Sequence, residues 1–310
     1  MITERSGHWL MAVVVAVGLL IGAGPSVVRA QGVLYDDFSS KELDASKWFA
    51  VQVAGGSFSG SPLELTRRIR GGHGPLAGKL ELSHRMVGGQ HPATGVESKN
   101  RMALRAVPTS PPFIGLTPNV AGLQFDVIPA AFEARGCPDA GIAPTRARMG
   151  FNYHVFNDPG IPYMGGSTGN MGAIIELRRD SHVPGPHGFV RAVGTVYRCL
   201  NPECSTSDST NVELGLVARH EEVQLRIQWE PELDAFSFQK GAETPVLVSY
   251  AAPPFNVDPG MDELAHNPQP QGFSFRVLEV RTVAPTCQSE RTEAEMTALI
   301  DNVVVLPLMP

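Results

Sequence analysis

The stretch VQLRIQWEPELDAFSFQKG, residues 223–241, is the strongest indication of fold class in the sequence. In its first half every second residue is apolar, namely Val223, Leu225, Ile227 and Trp229. Residues 230–234 then turn the chain, and Phe236 and Phe238 continue the alternation on the way back. A period of two places one face against a core and the other in water, so the stretch predicts an antiparallel β-hairpin.

The same alternation recurs in both directions from this hairpin, in short runs separated by Gly, Pro, Asn and Asp. We predict strands over 49–53, 63–69, 79–86, 102–106, 122–128, 145–156, 172–179, 189–197, 212–218, 223–229, 235–239, 246–250, 273–283 and 299–306. Residues 292–295 match a capping box, which would begin a helix, but the Val- and Ile-rich run that follows favours a strand. No repeat or low-complexity linker divides the chain, so residues 31–310 are expected to form one all-β domain.

Residues 1–30 have the pattern of a signal peptide: Arg5, an apolar run over 10–24, and the A-x-A-like cleavage positions at Val28 and Ala30. The run is shorter than the ~20 residues that span a bilayer, although a retained membrane anchor is the alternative interpretation. We expect a secreted or periplasmic protein with no membrane span after cleavage. The formal net charge of −6 argues against a nucleic-acid partner, which would require a basic patch.

Four cysteines in an exported chain favour two disulfides. We expect Cys199 to pair with Cys204, because the turn dipeptide at 201–202 brings their ends together. Cys137 and Cys287 then form the second bridge by elimination. A zinc site is the alternative, but the second close pair that it needs is missing.

Three motifs carry a family resemblance: DDF and LDASKW within 36–48, the hairpin at 223–241, and IDNVVV at 300–305. With these motifs the chain resembles the concanavalin A-like lectin/glucanase superfamily, including its laminin-G-like members. The resemblance implies a jelly-roll β-sandwich of two antiparallel sheets whose terminal strands pair. It also implies a structural calcium ion held by Asp37 and Asp301, although these aspartates would serve equally as acceptors for backbone N–H groups at strand ends.

The catalytic motif of retaining glucanases with this fold, Glu-x-Asp-x-x-Glu on one strand, is absent from the sequence. The nearest acidic cluster, over 230–234, contains Pro231, and this indicates a solvated turn. The segment IIELRRD at 174–180 is similar to part of an alginate lyase element, but its companion motifs are missing. We therefore expect no catalytic residues.

The candidate ligand site follows from sheet geometry. Alternation over 145–156 and 172–179 places apolar residues on one face and polar residues on the other. The connection between these two strands is only long enough for a loop, so we expect them to be neighbours in the sheet. This polar face, with the loop that follows its first strand, gathers the candidate ligand-binding residues Arg148, Asn152, His154, Asp158, Tyr163, Glu176 and Arg178. The alternative is an ordinary solvated sheet face.

The sequence as a whole favours an exported non-catalytic binding module that recognises carbohydrate. Trp48 and Trp229 are assigned to the core, so aromatic platforms for sugar stacking are scarce. The first alternative is a glycan-cleaving enzyme, a glycoside hydrolase or polysaccharide lyase, with a divergent site. The second is a structural or adhesive domain that contacts an extracellular or cell-envelope component.

Overall fold

A computed structural model describes residues 32–54, 64–88, 98–104, 120–158, 160–161, 167–183, 185–202, 204–257 and 276–307. Strands form nearly all of the regular structure, and the described helical residues are the single 3₁₀ turn Pro231–Leu233. The prediction of an all-β protein is confirmed. Within these ranges no helix has the length and apolar character needed to cross a membrane. The predicted signal peptide lies outside the described residues.

The strands form two antiparallel sheets, which confirms the predicted jelly-roll sandwich. In spatial order, the first sheet contains β13 (Val246–Ser249), β12 (Ala235–Lys240), β11 (Val223–Glu230), β6 (Val120–Arg135), β15 (Glu293–Pro307), β4 (Leu80–Val87) and β3 (Glu64–Ile69), with β1 (Val33–Asp36) also paired to β15. The second sheet contains β10 (Ser207–Ala218), β9 (Phe189–Cys199), β8 (Asn170–Asp180), β7 (Arg146–Asn157), β14 (Arg276–Val283), β5 (Ser98–Leu104) and β2 (Trp48–Ala54).

The hairpin that indicated the fold is β11 and β12, and its register sets Ile227 opposite Phe238 and Trp229 opposite Phe236. All four side chains are buried, as the alternation predicts. They pack between the sheets with the inward residues of β7 and β8. A shift of the strand pairing by one residue would expose these four apolar side chains to solvent, so their burial fixes the register.

The terminal segments close the fold as the resemblance implies. Strand β1 pairs with the end of β15, with Val33 opposite Val305. Asp36 accepts a 2.6 Å hydrogen bond from the indole nitrogen of Trp48, and the side chain of Trp48 is buried. The motif at 36–48 therefore has a structural role, because the carboxylate satisfies the only polar atom of a core indole.

Several strand boundaries differ from the sequence prediction. The four-residue strand β1 was not predicted, because too short a run of alternation precedes the acidic turn. Strands β6 and β15 are longer than predicted, and they pair with each other along most of their length. Residues 293–295 are extended within β15, so the preference for a strand over a capped helix is confirmed.

Both predicted disulfides are present. Cys199 and Cys204 are bridged across the end of β9, with their Cα atoms 4.7 Å apart. Cys137 and Cys287 join two loops that are separated by 150 residues in the sequence, with their Cα atoms 5.6 Å apart. These pairings exclude the alternative zinc site, since all four thiols are consumed.

Candidate functional site

The outward surface of the second sheet is the predicted polar face. On β7 the buried residues Met149 and Phe151 point into the core, and the alternate residues Arg148, Gly150 and Asn152 lie on the outward face. Strands β7 and β8 are direct neighbours, as predicted, and β14 flanks β7 on its other side. We call the outward side chains of β5, β14, β7, β8, β9 and β10 the polar face.

Two glutamates occupy equivalent positions on either side of the central strand β7. The register sets Glu279 of β14 opposite Gly150, and Gly150 opposite Glu176 of β8. Each glutamate retains only 1% of its exposure. Two strand spacings separate their Cα atoms, roughly 10 Å, and both side chains rise from the same face of the sheet.

Gly150 leaves the space between these glutamates free of a side chain. A Cβ atom added to this residue would lie 2.7 Å from Cβ of Glu176 and 2.9 Å from its Cα. Real Cβ atoms do not approach other atoms so closely. The backbone of β8 cannot move aside to relieve this contact as the end of a flexible side chain could. The close packing of β7 against β8 therefore requires glycine at position 150, and only backbone atoms lie on the sheet surface between the two carboxylates.

Arg281 connects the two carboxylates. Its Nη2 donates a 2.8 Å hydrogen bond to Oε2 of Glu176, and its Nε lies 3.2 Å from Oε1 of Glu279. Arg101 donates from Nε to the other oxygen of Glu279, Oε2, at 2.6 Å. The 3.2 Å contact lacks hydrogen-bond geometry, and Oε1 of Glu279 is a buried acceptor without a hydrogen bond within the described part of the chain. Such an oxygen is uncommon in a folded protein and suits a group that meets a ligand.

The charge state of Glu279 follows from its surroundings. Burial would raise the pKa of this carboxyl, but Arg281, Arg101 and then Lys99 outweigh burial and lower the pKa below its ordinary value of 4.5. Glu279 is therefore ionised at neutral pH, with its charge fixed at a desolvated position. A carboxylate in this state is prepared to act as a base or nucleophile.

Glu176 has a different set of contacts. Its Oε2 takes the hydrogen bond from Arg281, whereas Oε1 lies 3.8 Å from a guanidinium nitrogen of Arg148 and 3.9 Å from one of Arg178. Both of the latter distances exceed hydrogen-bond length. The two oxygens of Glu176 are thus unequal, and Oε1 is the one that faces the weaker contacts.

Tyr197 and Asn152 form a neutral pair on the same face. The Tyr197 hydroxyl donates a 2.7 Å hydrogen bond to Oδ1 of Asn152. Burial, and secondarily the negative charge of Glu279, raise the pKa of this phenol well above its ordinary value of 10.0. Tyr197 therefore stays protonated and acts as a hydrogen-bond donor, not as a base.

A third buried carboxylate, Asp180, lies toward the end of β8. Its Oδ2 accepts hydrogen bonds from Arg178 and, at 2.9 Å, from Arg191, and its Oδ1 lies 3.4 Å from Nε of Arg146. Three arginines thus surround one carboxylate, and this group neutralises part of their charge.

The structure brings together four of the predicted ligand residues, Arg148, Asn152, Glu176 and Arg178. His154 belongs to the same face by register, since it pairs with Gly172, but its side chain is outside what the structure describes. Tyr163 also lies outside the described residues.

Asp158 does not join this group, and its placement corrects the sequence prediction. Its Oδ2 accepts a 2.7 Å hydrogen bond from Arg198, which is on the same side of β9 as the core residue Val196. Its Oδ1 accepts from the backbone N–H of Gly160. The loop therefore turns toward the opposite side of the sheet, and Asp158 holds the loop to the sandwich.

The two aspartates predicted to bind calcium have other partners. Asp301 accepts a 2.7 Å hydrogen bond from Nζ of Lys79, whose buried ammonium already neutralises this carboxylate. Asp37 accepts from the backbone N–H of Ser39 in a local turn. Calcium requires six to eight oxygen ligands, and a lysine ammonium on one of only two named carboxylates does not fit such a site.

Glu279 and Arg281 were not among the site residues predicted from the sequence. Alternation over 276–283 does put both on the outward face, between the buried residues Leu278 and Val280. The pairing of β14 with β7, more than 120 residues earlier in the chain, was the missing information, and no local pattern supplies it.

Comparisons with known proteins add the following findings. No protein-family model matches this chain, and no curated protein matches it in sequence. Among solved structures, a GlcNAcα1-4Gal-releasing endo-β-galactosidase from Clostridium perfringens is 11% identical, with a TM-score of 0.47; the match covers 90% of this chain and 63% of that one. A kappa-carrageenase from Pseudoalteromonas carrageenovora is 11% identical, with a TM-score of 0.44 and coverage of 94% and 100%. A Bacillus licheniformis β-glucanase is 12% identical, with a TM-score of 0.39 and coverage of 90% and 99%. These likenesses concern the fold.

The expectation of a non-catalytic binding module is wrong. The solved structures named above are all glycan-cleaving enzymes by their names. The expectation also depended on a missing motif of carboxylates along a single strand. The polar face instead holds two facing glutamates on different strands, Glu176 on β8 and Glu279 on β14, on either side of a glycine.

Proposed function

We propose that this protein is an exported glycan-cleaving enzyme that hydrolyses its substrate on the polar face. The observation that carries the proposal is the pair of buried glutamates, Glu176 and Glu279, facing each other across the bare backbone of Gly150. Glycoside hydrolysis uses two carboxyl groups about 5 to 9.5 Å apart on opposite sides of the scissile bond. Side chains that converge from Cα atoms roughly 10 Å apart are compatible with this range.

The two glutamates would have different roles. Glu279 is held ionised by its neighbouring cations, and one of its oxygens has no hydrogen bond, so it suits the base or nucleophile. Glu176 takes the remaining role, that of the general acid, because it is the carboxyl group that faces Glu279 across Gly150. Arg281, which contacts both, would fix their relative orientation.

Hydrolysis is favoured over the lyase alternative by the state of Tyr197. A lyase on this face would need a group that abstracts a proton beside a neutralised uronate. Tyr197 is the described phenol on this face, and burial raises its pKa, which opposes that role. Its hydrogen bond to Asn152 instead suits a pair that positions sugar hydroxyls.

The proposal is tested by incubating the purified protein with neutral and acidic polysaccharides and measuring the release of reducing ends. Glu176→Gln is expected to lower the rate by about a hundredfold or more, the usual contribution of a general acid. Glu293→Gln is the matched control, because Glu293 is also paired with an arginine, Arg85 at 2.6 Å, but lies in the first sheet. Absence of cleavage with every glycan, or full activity in Glu176→Gln, would contradict the proposal. An unsaturated product that absorbs in the ultraviolet would favour a lyase.

A further inference from the structure

The register of the second sheet aligns five cationic residues in one row. Each residue lies directly opposite the next on adjacent strands. In order across β5, β14, β7, β8 and β9 they are Lys99, Arg281, Arg148, Arg178 and Arg191. Like charges that are directly opposite each other destabilise a sheet, so such a row opposes folding unless anions compensate for it. We call these five residues the cationic row.

The carboxylates of the polar face do not balance its cations. The described strands place seven cations on this face, the five of the cationic row with Arg101 and Arg146. They place four carboxylates there, namely Glu176, Asp180, Glu213 and Glu279. Among the described residues this face therefore has an excess of positive charge, on a chain whose formal net charge is −6. A local excess of this sign, against the overall charge, is a recognition feature for an anion.

Exposure shows which end of the cationic row a ligand can reach. The side chain of Arg281 is 9% exposed and is engaged by both catalytic candidates. The exposed fraction rises to 12% at Arg148, 17% at Arg178 and 21% at Arg191. The β7–β9 end of the row, which consists of Arg148, Arg178 and Arg191, is therefore more accessible than Arg281, and it lies beside the glutamate pair.

We propose that the β7–β9 end of the cationic row binds acidic substituents of a polyanionic glycan, which are sulfate or carboxylate groups. This inference rests on the proposed function and names the substrate class. Guanidinium groups hold oxyanions through paired hydrogen bonds, and arginine rather than lysine supplies all three residues at this end. The whole row spans four strand spacings, about 19 Å, which is the scale of several acidic groups along one extended chain.

Affinity electrophoresis of the full chain tests the inference without depending on cleavage. Gels contain kappa-carrageenan as the sulfated polymer, alginate as the carboxylated polymer, or neutral laminarin. We expect retardation by one or both acidic polymers, and its weakening by salt. Arg191→Gln is expected to reduce the affinity about tenfold, the usual effect of losing a charged hydrogen bond. In the Arg191→Gln variant the buried carboxylate of Asp180 still has Arg178 and Arg146 as ion-pair partners.

Arg68→Gln is the control, because it removes the same charge from an exposed arginine of the first sheet. Equal loss of affinity in Arg68→Gln and Arg191→Gln would overturn the inference, as would equal retardation by laminarin or stronger retardation by DNA. Retardation by one acidic polymer identifies the group as sulfate or carboxylate, and retardation by both assigns the shared anion chemistry.

The same experiment separates the two proposals. If an acidic polymer retains the protein and no reducing ends are released, the proposal of anion binding by the cationic row is supported and the proposal of glycan cleavage is contradicted. If the protein cleaves a neutral glycan and no acidic polymer retains it, the proposal of glycan cleavage is supported and the proposal of anion binding is contradicted.

Discussion

A buried histidine in the core predicts a specific loss of stability in acid. His84 of β4 is fully buried, and its Nδ1 lies 2.5 Å from the hydroxyl oxygen of Thr282 on the facing sheet. Burial lowers the pKa of His84 from 6.5 to about 4. The folded protein therefore keeps His84 neutral in the range where the unfolded chain takes up a proton.

The direction and size of the effect follow from linkage. Between about pH 6.5 and pH 4 the unfolded state binds more protons, so the free energy of unfolding falls as the pH falls. The lowering of the pKa of His84 from 6.5 to about 4 corresponds to about 3 kcal/mol, fully lost below pH 4. A loss of this size is a large fraction of the stability of an ordinary domain.

The assay is urea unfolding at pH 7, 6, 5 and 4, followed by the fluorescence of the buried tryptophans. The comparison is the double variant His84→Leu with Thr282→Val, which replaces both polar partners with apolar groups and leaves neither unsatisfied. Other titrating groups are common to both proteins and cancel in the difference. We expect the wild type to lose about 3 kcal/mol more than the double variant between pH 7 and pH 4. An equal loss of stability in the two proteins would show that the neutral state of His84 is not the cause of the loss in acid.

Three further predictions concern the site and the cross-links. Arg101→Gln removes a 2.6 Å hydrogen bond to Glu279 and should move the acid limb of the kcat/KM profile to higher pH, by up to about one unit; an unmoved limb would contradict the assigned role. Replacing both cysteines of the disulfide Cys137–Cys287 with serine should lower the free energy of unfolding by about 5 kcal/mol, against about 2 kcal/mol for Cys199–Cys204, because the chain between the first pair is much longer; equal losses in denaturant titrations would argue against this. Gly150→Ala should lower the free energy of unfolding by about 1–3 kcal/mol, measured by thermal unfolding, and should lower the cleavage rate, measured by the release of reducing ends. A variant with unchanged stability and unchanged cleavage rate would show that there is room for a methyl group at this position.

Sequence patterns predicted the faces of individual strands well. Alternation alone placed Arg148 and Glu176 outward and Phe151 inward, because the two-residue period of a strand is a local property. The hairpin over 223–241 was predicted for the same reason, whereas the pairing of the terminal strands was implied by the motif resemblance.

What the sequence could not supply was the lateral order of distant strands. Glu279 was readable as an outward residue, but its position two strands from Glu176 depends on pairing between segments far apart in the chain. The two facing glutamates belong to different strands, so no motif within a single strand indicates the pair. Asp158 was misplaced for a related reason, since a loop's direction depends on its partner, Arg198, rather than on its own composition.

In the proposed mechanism Glu279 acts directly in glycan cleavage, and this role is tested by the initial rate of Glu279→Gln on a polysaccharide that the wild type cleaves. The rate is compared with that of Glu293→Gln at equal concentrations of folded protein, with folding verified by circular dichroism. We predict a loss of about a thousandfold in Glu279→Gln, within the range for a removed acid–base or nucleophilic group, and near-normal activity in the control. A Glu279→Gln variant that retains most of the wild-type rate would contradict the account.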